Sequence, residues 1–465
     1  MKILITAVLA LALTACAGAP PRNGLDGNAE SMPDRFTDVL PLDAEIPVEW
    51  WRAFGDPELD RLVERGLRYN SDLRIAAERL REARAAFRAT RASQLPAVGV
   101  FVDGARQRTR TIDMTDTMII ESGSFGASIS YEVDLWGRLA AQSEGERQRY
   151  LAQGYTLASL RLAIAAELVR GYLQAQALID SRQVLEENAQ VLEDQLRLSQ
   201  RRYEIGAISE LDLQRFRSEL EDSRAQLAAV TQQQQATQRA LLLLAGELPS
   251  REALAVLAIA GEGVPLAELP VVPTGLPSSL LDRRPDLRAA EANLAAAGAD
   301  LVAARRAWLP SLVITGTAGE VSPSLSGLFD DGFSVWSIGA NLAQAIFDGG
   351  RRNAVVEASD ARRAQLVEAY QGTVRRSFGE VADALDARTA AAEVHRARTS
   401  QADALMTALR LAQRRYDEGY SDYLDVLDAR RSLLQSRLAV AEARRSGAAA
   451  YVDLVLAVGG GWRAP

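Results

Sequence analysis

The 465-residue chain has one cysteine, one histidine and few aromatic residues. A single cysteine excludes an intrachain disulfide, and with a single histidine it leaves almost no possibility of a Cys/His metal site. The net charge is −8, and the basic residues do not form a face with interleaved aromatics, so nucleic-acid binding is not indicated. Proline is absent from 97 to 248 and from 324 to 464. Those two spans can therefore hold very long helices.

The lone cysteine follows a short apolar run at the N-terminus. The run over residues 3–13 is too short to span a bilayer as a helix, and it ends in the small-residue stretch that precedes Cys16. This pattern is typical of a bacterial lipoprotein signal peptide, here residues 1–15, and it predicts lipidation of Cys16. The residue after the cysteine is Ala17, whereas an aspartate at this position often retains lipoproteins at the inner membrane. We therefore expect an outer-membrane anchor and a lipid-anchored N-terminal segment over residues 16–50.

The chain contains an internal repeat. QRRYEIG at 200–206 recurs as QRRYDEG at 413–419, 213 positions later, and Asp72-Leu73-Arg74 recurs as Asp286-Leu287-Arg288. Two copies at so long a period indicate a duplicated unit. We assign the first repeat to residues 51–248 and the second to 278–462. Between them, residues 249–277 are rich in proline and form a connector that cannot be a long helix.

Each repeat is predicted to end in a long helical hairpin. Leu178, Leu185 and Leu192 recur every seven residues, which is coiled-coil spacing. A helix of about 65 residues would be on the order of 100 Å long and must pack on equally long partners. Gly206 and Gly419 then end these helices, which places the two hairpin tips near 203–212 and 416–425. Ser209 to Asp212 predicts a capping box for the return helix, and Asp422 to Asp425 predicts a second one.

Before each long helix lie two segments typical of β-strands. They predict a β-hairpin over 97–134 in the first repeat and another over 311–345 in the second. Each strand is about 10–12 residues long, which is the length of a transmembrane β-strand. Four strands cannot close a barrel, and an open sheet edge is not tolerated in lipid. If these strands span a membrane, several chains must pool them, and three chains would supply twelve strands.

The chain resembles the outer membrane factors of tripartite bacterial efflux and secretion systems, in the lipid-anchored branch that serves drug-efflux pumps. The resemblance covers essentially the whole mature chain. The segments that carry it are the lipobox at Cys16, FGDPELDRL (54–62), YEVDLWGRL (131–139), QRRYEIG (200–206), LLDRRPDLRAAEANL (280–294), IFDGGR (346–351) and RRYDEGYSDYLDVLDA (414–429).

The resemblance implies an α+β membrane protein that is a homotrimeric tube and not an enzyme. A shared 12-stranded β-barrel would lie in the outer membrane, and a long α-helical barrel would extend into the periplasm. The implied partners are outer-membrane lipid, a periplasmic adaptor (membrane fusion) protein that docks on the hairpin tips, and an inner-membrane efflux pump. No cofactor and no nucleic acid is expected. The implied function is passive, gated export of drugs or other small molecules.

The resemblance also assigns candidate site residues at the tips. In related channels, tyrosine and charged side chains behind the second tip close the inner mouth, and here the matching positions are Tyr416, Asp425 and Asp428. The corresponding first-repeat positions add Tyr203 and Asp212 to the gate, and Arg215 is a candidate partner for these carboxylates on a neighbouring hairpin. The expected adaptor-docking residues are Gly206, Gly419 and Tyr420. Some relatives have an arginine just after the second glycine, where this chain has Tyr420-Ser421, so the latch is expected to differ.

Other interpretations remain open at this stage. Asp212 and Asp425 could act only as helix caps, and Tyr203 and Tyr416 could be core residues of the hairpins. The tube could be a type I secretion duct for polypeptides, because its geometry does not select the cargo. A lipid-anchored coiled-coil scaffold without a pore is disfavoured by the symmetric strand pairs. A secreted hydrolase using paired carboxylates is disfavoured because the chain lacks a compact βα pattern.

Overall fold

The computed structural model describes residues 46–110, 117–257, 259–261, 269–270, 272, 283–323 and 333–462. The signal peptide over 1–15, the lipidation site Cys16 and nearly all of the anchored segment 16–50 lie outside the described residues. Much of the connector 249–277 lies outside them too. Those assignments therefore remain predictions.

The first repeat alternates helices and strands in the predicted order. Its elements are a 3-10 helix Trp50–Phe54, α1 Pro57–Tyr69, α2 Ser71–Ala92, β1 Ala97–Arg110, β2 Thr117–Val133, α3 Arg138–Glu204 and α4 Glu210–Leu244. At 67 residues, α3 is the long helix that the proline-free span predicted. A short helix, α5 Arg251–Val256, follows in the connector. The strands extend further than expected, because β1 has 14 residues and β2 has 17.

The second repeat reproduces this order at nearly constant spacing. Its elements are α6 Pro285–Arg306, β3 Ser311–Ser322, β4 Phe333–Ala343, α7 Arg351–Asp417 and α8 Tyr423–Ala457. The helices α3 and α7 both have 67 residues, α4 and α8 both have 35, and α2 and α6 both have 22. The structure thus confirms the internal repeat. Among the described helices, none is both long and apolar enough to cross a lipid bilayer.

The strands form one antiparallel sheet in the order β1-β2-β3-β4, so β2 and β3 join the two repeats. Partners in an antiparallel sheet share a face, and the register places Val100, Ala127, Ala318 and Trp336 in one row. The adjacent row on the opposite face is polar and holds Ser128, Thr317 and Ser337.

The apolar face of the sheet is exposed. Its exposed members include Val98, Val100, Val102, Ile129, Ile314, Trp336 and Ile338. The opposite face also holds apolar residues such as Phe101 and Val335, but it is the more polar of the two. A sheet with one apolar and one more polar face is suited to separate lipid from water.

The largest core lies at mid-height of the long helices. Trp50, Trp51 and Phe54 pack with α1 against the middle of α3 and the end of α8. Tyr172 at the centre of this core donates from its hydroxyl to Asp56 Oδ2 at 2.6 Å. The Asp56 carboxylate also accepts from two backbone N–H groups at the start of α1. Burial, followed by this contact, raises the pKa of the Tyr172 hydroxyl.

The heptad leucines of the first hairpin are buried as their spacing predicted. Leu178, Leu185 and Leu192 of α3 are buried, and so are Leu213 and Leu220 of α4. The two helices of the first hairpin therefore pack against each other as antiparallel partners. The second hairpin packs on the first through contacts between α8 and α3. This packing positions the two tips side by side.

Candidate functional site

Both hairpin tips end their long helix in the same backbone motif. Gly206 has a φ of 73°, and the N–H of Ala207 donates to the carbonyl of Arg202 at 2.8 Å. Gly419 has a φ of 79°, and the N–H of Tyr420 donates to the carbonyl of Arg415 at 2.8 Å. These bonds define Schellman caps, which need a residue that tolerates a positive φ. The two long helices therefore end next to Gly206 and Gly419.

The two return helices start differently. The Ser209 Oγ accepts from the N–H of Asp212 at 3.2 Å, so the predicted cap of α4 forms. Asp212 does not bond back to the backbone of Ser209 as in a full capping box; its Oδ2 accepts from the Ser209 hydroxyl at 2.6 Å. The second predicted box is wrong, because the Asp422 side chain makes no capping bond.

The two tip tyrosines occupy different environments. Tyr416 is half-buried and accepts a hydrogen bond from Arg202 Nη1 at 2.6 Å, which links the second hairpin to the first. Tyr203, the equivalent residue of the first repeat, is 40% exposed. Of these two tyrosines, only Tyr416 is thus shown to join the hairpins within one chain.

Aromatic rings pack beside the Arg202–Tyr416 hydrogen bond. The ring of Tyr423 lies 5.1 Å from that of Tyr416 and 4.5 Å from that of Phe216 across the hairpin boundary. The Tyr423 hydroxyl is buried, and among the described residues it has no hydrogen-bond partner. Burial raises the pKa of this hydroxyl, so it stays protonated. Offset and edge contacts of this kind stabilise a pair by about 0.5–1.5 kcal/mol beyond area burial.

The predicted acidic pair lies on the first turns of α8. Asp425 and Asp428 are both exposed, and neither forms an ion pair with a described residue. Residues three apart share a helix face, so the two carboxylates lie side by side. Arg215 pairs with Asp212 of its own helix at 3.5 Å. Within the described chain, Arg215 therefore does not neutralise Asp425 or Asp428, and a cross-hairpin contact would need a second copy.

Behind the tip, ion pairs tie α8 to the first hairpin. Arg431 contacts Glu219 at 2.7 Å, Arg437 contacts Glu187 at 3.0 Å, and Arg444 lies 3.5 Å from Asp180. Most of these side chains are partly exposed, so each pair contributes about 0–1 kcal/mol. In all three pairs the arginine is on α8 and the acid is on the first hairpin. This arrangement favours one alignment of the two hairpins.

The two tips enclose a cleft of about 580 Å³. Its lining includes Arg202, Asp212, Phe216, Tyr416, Asp422 and Leu427. The cleft combines both charges with aromatic and aliphatic surface. Its chemistry fits a contact surface between helices.

Sequence reasoning missed Arg202, Phe216 and Tyr423 as members of this contact. A usable signal existed, because the repeats differ at two of these positions. Tyr423 corresponds to Glu210 at an offset of 213, and Phe216 corresponds to Ala429. Large aromatics that break an internal repeat mark places where the two hairpins have different neighbours.

Comparison with known proteins gives a consistent result. The family described as "Outer membrane efflux protein" matches the chain twice, over residues 62–247 and 276–460. Outer membrane protein OprJ of Pseudomonas aeruginosa is 34% identical over 462 residues, covering 98% of this chain and 95% of that protein.

Solved structures agree with the sequence comparison. The outer-membrane channel OprN superposes with a TM-score of 0.86 at 28% identity, covering 94% of this chain and 98% of the other. The open state of the MtrE outer membrane channel of Neisseria gonorrhoeae superposes with a TM-score of 0.81 at 28% identity, covering 92% and 96%.

Proposed function

Because the chain belongs to the outer membrane efflux protein family, we propose that it is the outer membrane channel of a tripartite efflux pump. It acts as a passive gated conduit and carries out no covalent chemistry. The observation that carries this proposal is the four-stranded sheet with one apolar and one more polar face, continuous with helices of 67 residues. A membrane-length sheet joined to helices of about 100 Å suits a path that begins in the outer membrane and crosses the periplasm.

The sheet supports assembly into a homotrimer. Its outer strands β1 and β4 each have one unpaired edge in the single chain. An open edge in lipid leaves backbone groups without partners, at a cost of several kcal/mol each. Three copies would close twelve strands into one barrel, with the polar face lining the lumen. Acyl chains on Cys16 would add a second attachment to outer-membrane lipid.

The hairpin tips are the proposed docking site for a periplasmic adaptor protein, which connects the channel to an inner-membrane efflux pump. Gly206, Gly419 and Tyr420 lie at the ends of the two tips, and Tyr420 is 74% exposed. An exposed tyrosine beside two rigid turns offers apolar area and a hydroxyl for recognition.

The exported molecules are proposed to be drugs or other small molecules. Relatives of the chain carry names such as toluene efflux pump and pyoverdine export outer membrane protein, and these names describe those proteins. A wide tube has few contacts with its cargo. We therefore place selection of the cargo in the pump.

The gate is proposed to lie at the tips. Asp425 and Asp428 would bring six carboxylates together in a trimer, which attracts cations and requires compensating charge to stay closed. Asp212 with Arg215 of a neighbouring hairpin would supply part of that compensation. Tyr416, bonded to Arg202, would hold the second hairpin in the closed alignment, and Tyr203 would face the adjoining copy.

Single-channel conductance in a planar bilayer tests both the conduit and the gate. The wild type is expected to show a small or flickering conductance, and Asp425→Ala/Asp428→Ala is expected to change its size and cation selectivity clearly. The matched control is Glu393→Ala, which removes an exposed carboxylate from α7 about 24 residues before the tip. This control should behave as wild type.

The alternative outcomes separate the two parts of the proposal. Equal conductance of the double variant and wild type would keep the conduit and remove the gate assignment. No conductance from either protein, after insertion into the bilayer has been demonstrated, would contradict the conduit itself.

A further inference from the structure

The helix α2 carries a row of arginines that ends just before the sheet. Arg81, Arg84, Arg88 and Arg91 follow one another at spacings of three and four residues, so they lie on one side of the helix. All four are exposed. Arg81 pairs with Glu78 at 2.8 Å, whereas the other three form no ion pair with a described residue. We call Arg84, Arg88 and Arg91 the α2 arginine face.

The second repeat shows which side of the helix this face occupies. At an offset of 214, the equivalent row on α6 is Ala295, Gly298, Val302 and Arg305. The helix α6 packs between α3 and α7, yet Ala295, Val302 and Arg305 stay exposed. The row therefore lies on a side that neither neighbouring helix covers. The α2 arginine face has the equivalent position on its own helix.

The row on α6 continues toward the mid-height core. Arg288, two turns earlier on the same side of α6, lies 6.0 Å from the ring of Tyr155. That ring packs edge-on against Trp462 at 5.8 Å, and Trp462 lines one cavity together with the core residues Trp50 and Trp51. A tube with an open lumen must carry this core on its outside. The α2 arginine face, at the equivalent positions, therefore points outward as well.

The α2 arginine face lies next to the start of the sheet. Only the turn at 93–96 separates α2 from β1. Arg84 is about 10 Å further from the sheet than Arg91, at 1.5 Å per residue. The headgroup layer of a bilayer is about 5–7 Å thick on each side, and a long arginine side chain can reach toward it. On the sheet side, Leu95 and Val98 are 67% and 72% exposed, so apolar surface begins where the cationic surface ends.

We propose that the α2 arginine face binds the phosphate groups of anionic phospholipids in the periplasmic leaflet of the outer membrane. A guanidinium can donate two parallel hydrogen bonds to one phosphate. Three of them along one helix form a charged strip that fits neighbouring headgroups, and the apolar surface beside it suits their acyl chains. This inference rests on the proposed function, which puts the sheet in the outer membrane, and it adds a lipid site on the outside of the channel.

The charged strip belongs to the first repeat alone. Where α2 has Arg84 and Arg88, α6 has Gly298 and Val302. Both helices have 22 residues, so these arginines are not needed to form a helix of this length. Each chain thus presents one strongly cationic and one mostly uncharged outward face at the same height. The second face provides a comparison within the same protein.

Lipid retention tests the site. The full-length protein is purified in detergent with added phosphatidylglycerol or phosphatidylcholine, and the bound lipids are counted by native mass spectrometry. Wild type should retain phosphatidylglycerol in preference to phosphatidylcholine. Arg84→Gln/Arg88→Gln/Arg91→Gln should weaken phosphatidylglycerol binding by roughly ten-fold or more, because each arginine at an anionic surface contributes roughly five-fold in affinity.

Two further variants separate a lost charge from a damaged helix. Arg396→Gln/Arg398→Gln/Arg410→Gln removes three exposed arginines from the half of α7 that leads to the tip, and it should bind lipid as wild type does. Replacing all three arginines of the α2 arginine face with lysine keeps the charge and should keep most of the preference. A lysine variant that loses as much as the glutamine variant would contradict attraction to the headgroups.

The second repeat allows the reverse test. Gly298→Arg/Val302→Arg copies two of the arginines onto α6, where Val302 is 36% exposed and a Cβ at Gly298 would meet no atom within 4 Å. This variant should retain additional phosphatidylglycerol, and Gly298→Gln/Val302→Gln should not. No gain from the arginine pair would contradict the assigned height and outward direction of the row.

Vesicles and inorganic phosphate distinguish the source of the anion. The glutamine variant of the α2 arginine face should melt at a lower temperature than wild type in phosphatidylcholine vesicles that contain phosphatidylglycerol, and at the same temperature in vesicles without it. Inorganic phosphate should not displace the bound lipid. Equal destabilisation in both vesicles would assign these arginines to a contact within the protein, and displacement by phosphate would assign them to a free anion. Either result would overturn the lipid site.

Conductance of the same preparations separates this inference from the proposed function. Wild-type protein that conducts but shows no preference for phosphatidylglycerol would lose the lipid site and keep the conduit. Protein that inserts into the bilayer and does not conduct would contradict the conduit, whereas its lipid preference would still report on the site.

Discussion

Arg284 shows how much one side chain can organise in this protein. It is 8% exposed and bonds to the carboxylate of Asp286, to Glu380 on α7 and to the carbonyl of Ala457 at the end of α8. A planar guanidinium can serve three acceptors in fixed directions, which lysine cannot. The RRPDLR motif that supports the family resemblance is thus structural here. It holds the start of α6 against the two helices of the second hairpin.

At the residue scale, the Arg202–Tyr416 hydrogen bond can be tested without altering shape. Tyr416→Phe removes the acceptor and should weaken the link between hairpins by roughly 1 kcal/mol, because a bond to a charged donor is lost at a half-exposed site. The fraction of open time in single-channel recordings should rise several-fold. Tyr69→Phe is the matched control, because Tyr69 is an exposed tyrosine at the end of α1, away from the tips, and it should leave the recordings unchanged. An equal effect of both variants would contradict the role of Tyr416.

At the element scale, the tips depend on backbone conformation as well as side chains. Each long helix ends in a Schellman cap, and each return helix starts four residues after the cap glycine. The first return helix has a serine cap, and the second does not. The second tip is instead supported by its aromatic contacts with the first hairpin. The cap glycines are therefore the shared requirement of the two tips.

Replacing a cap glycine should open the tip locally. Gly206→Ala places a Cβ at a φ of 73°, which costs about 1–2 kcal/mol. Trypsin cleavage at Arg201 and Arg202 should become several times faster, since cleavage follows the population of locally open states. Gly298→Ala is the control: its Cβ would meet no atom within 4 Å, and the equivalent position in the first repeat is Arg84. Unchanged cleavage of Gly206→Ala would show that the tip does not depend on this conformation.

At the scale of the whole molecule, the two faces of the sheet differ in the environment that they suit. Neighbouring residues of β4 point to opposite environments: Trp336 is 77% exposed on the apolar face, and Ser337 bonds to Thr317 at 2.7 Å on the polar face. A lipid-facing and a lumen-facing position can thus be compared one residue apart. Their membrane depth is nearly the same.

An arginine placed at each position should separate the two faces. Trp336→Arg should destabilise the inserted protein by about 2–4 kcal/mol, the cost of a cation facing mid-bilayer lipid. Ser337→Arg should insert normally and shift conductance toward anions, because a fixed positive charge in the lumen repels cations. The measurements are the urea midpoint of unfolding from liposomes and the ion selectivity in bilayers. Comparable destabilisation by both substitutions would contradict the assignment of faces.

Much of the fold followed from local signals. Gly206 and Gly419 end helices because few residues other than glycine adopt a positive φ without strain, and the absence of proline permits helices of 67 residues. The cap predicted at Asp422 does not form. The local sequence places a suitable acceptor at the start of α8, but it does not force the side chain to bond to the helix backbone. The bond of Arg202 to Tyr416 joins residues 214 positions apart, and no local pattern marks such a partner.

The sequence by itself determined the duplication, the order of helices and strand pairs in each repeat and the position of both tips, because helix ends and turns are set by residues within a few positions of each other. Only the tertiary structure decided that Ile129 lies opposite Gly316, that Tyr416 and not Tyr203 is shown to bond to the other hairpin, and that α7 stays uncovered in a single chain. These outcomes depend on which distant surfaces meet. Equivalent residues of the two repeats have similar local sequences and therefore suit similar neighbours. Which neighbour each one actually contacts depends on how the two repeats pack in the whole fold.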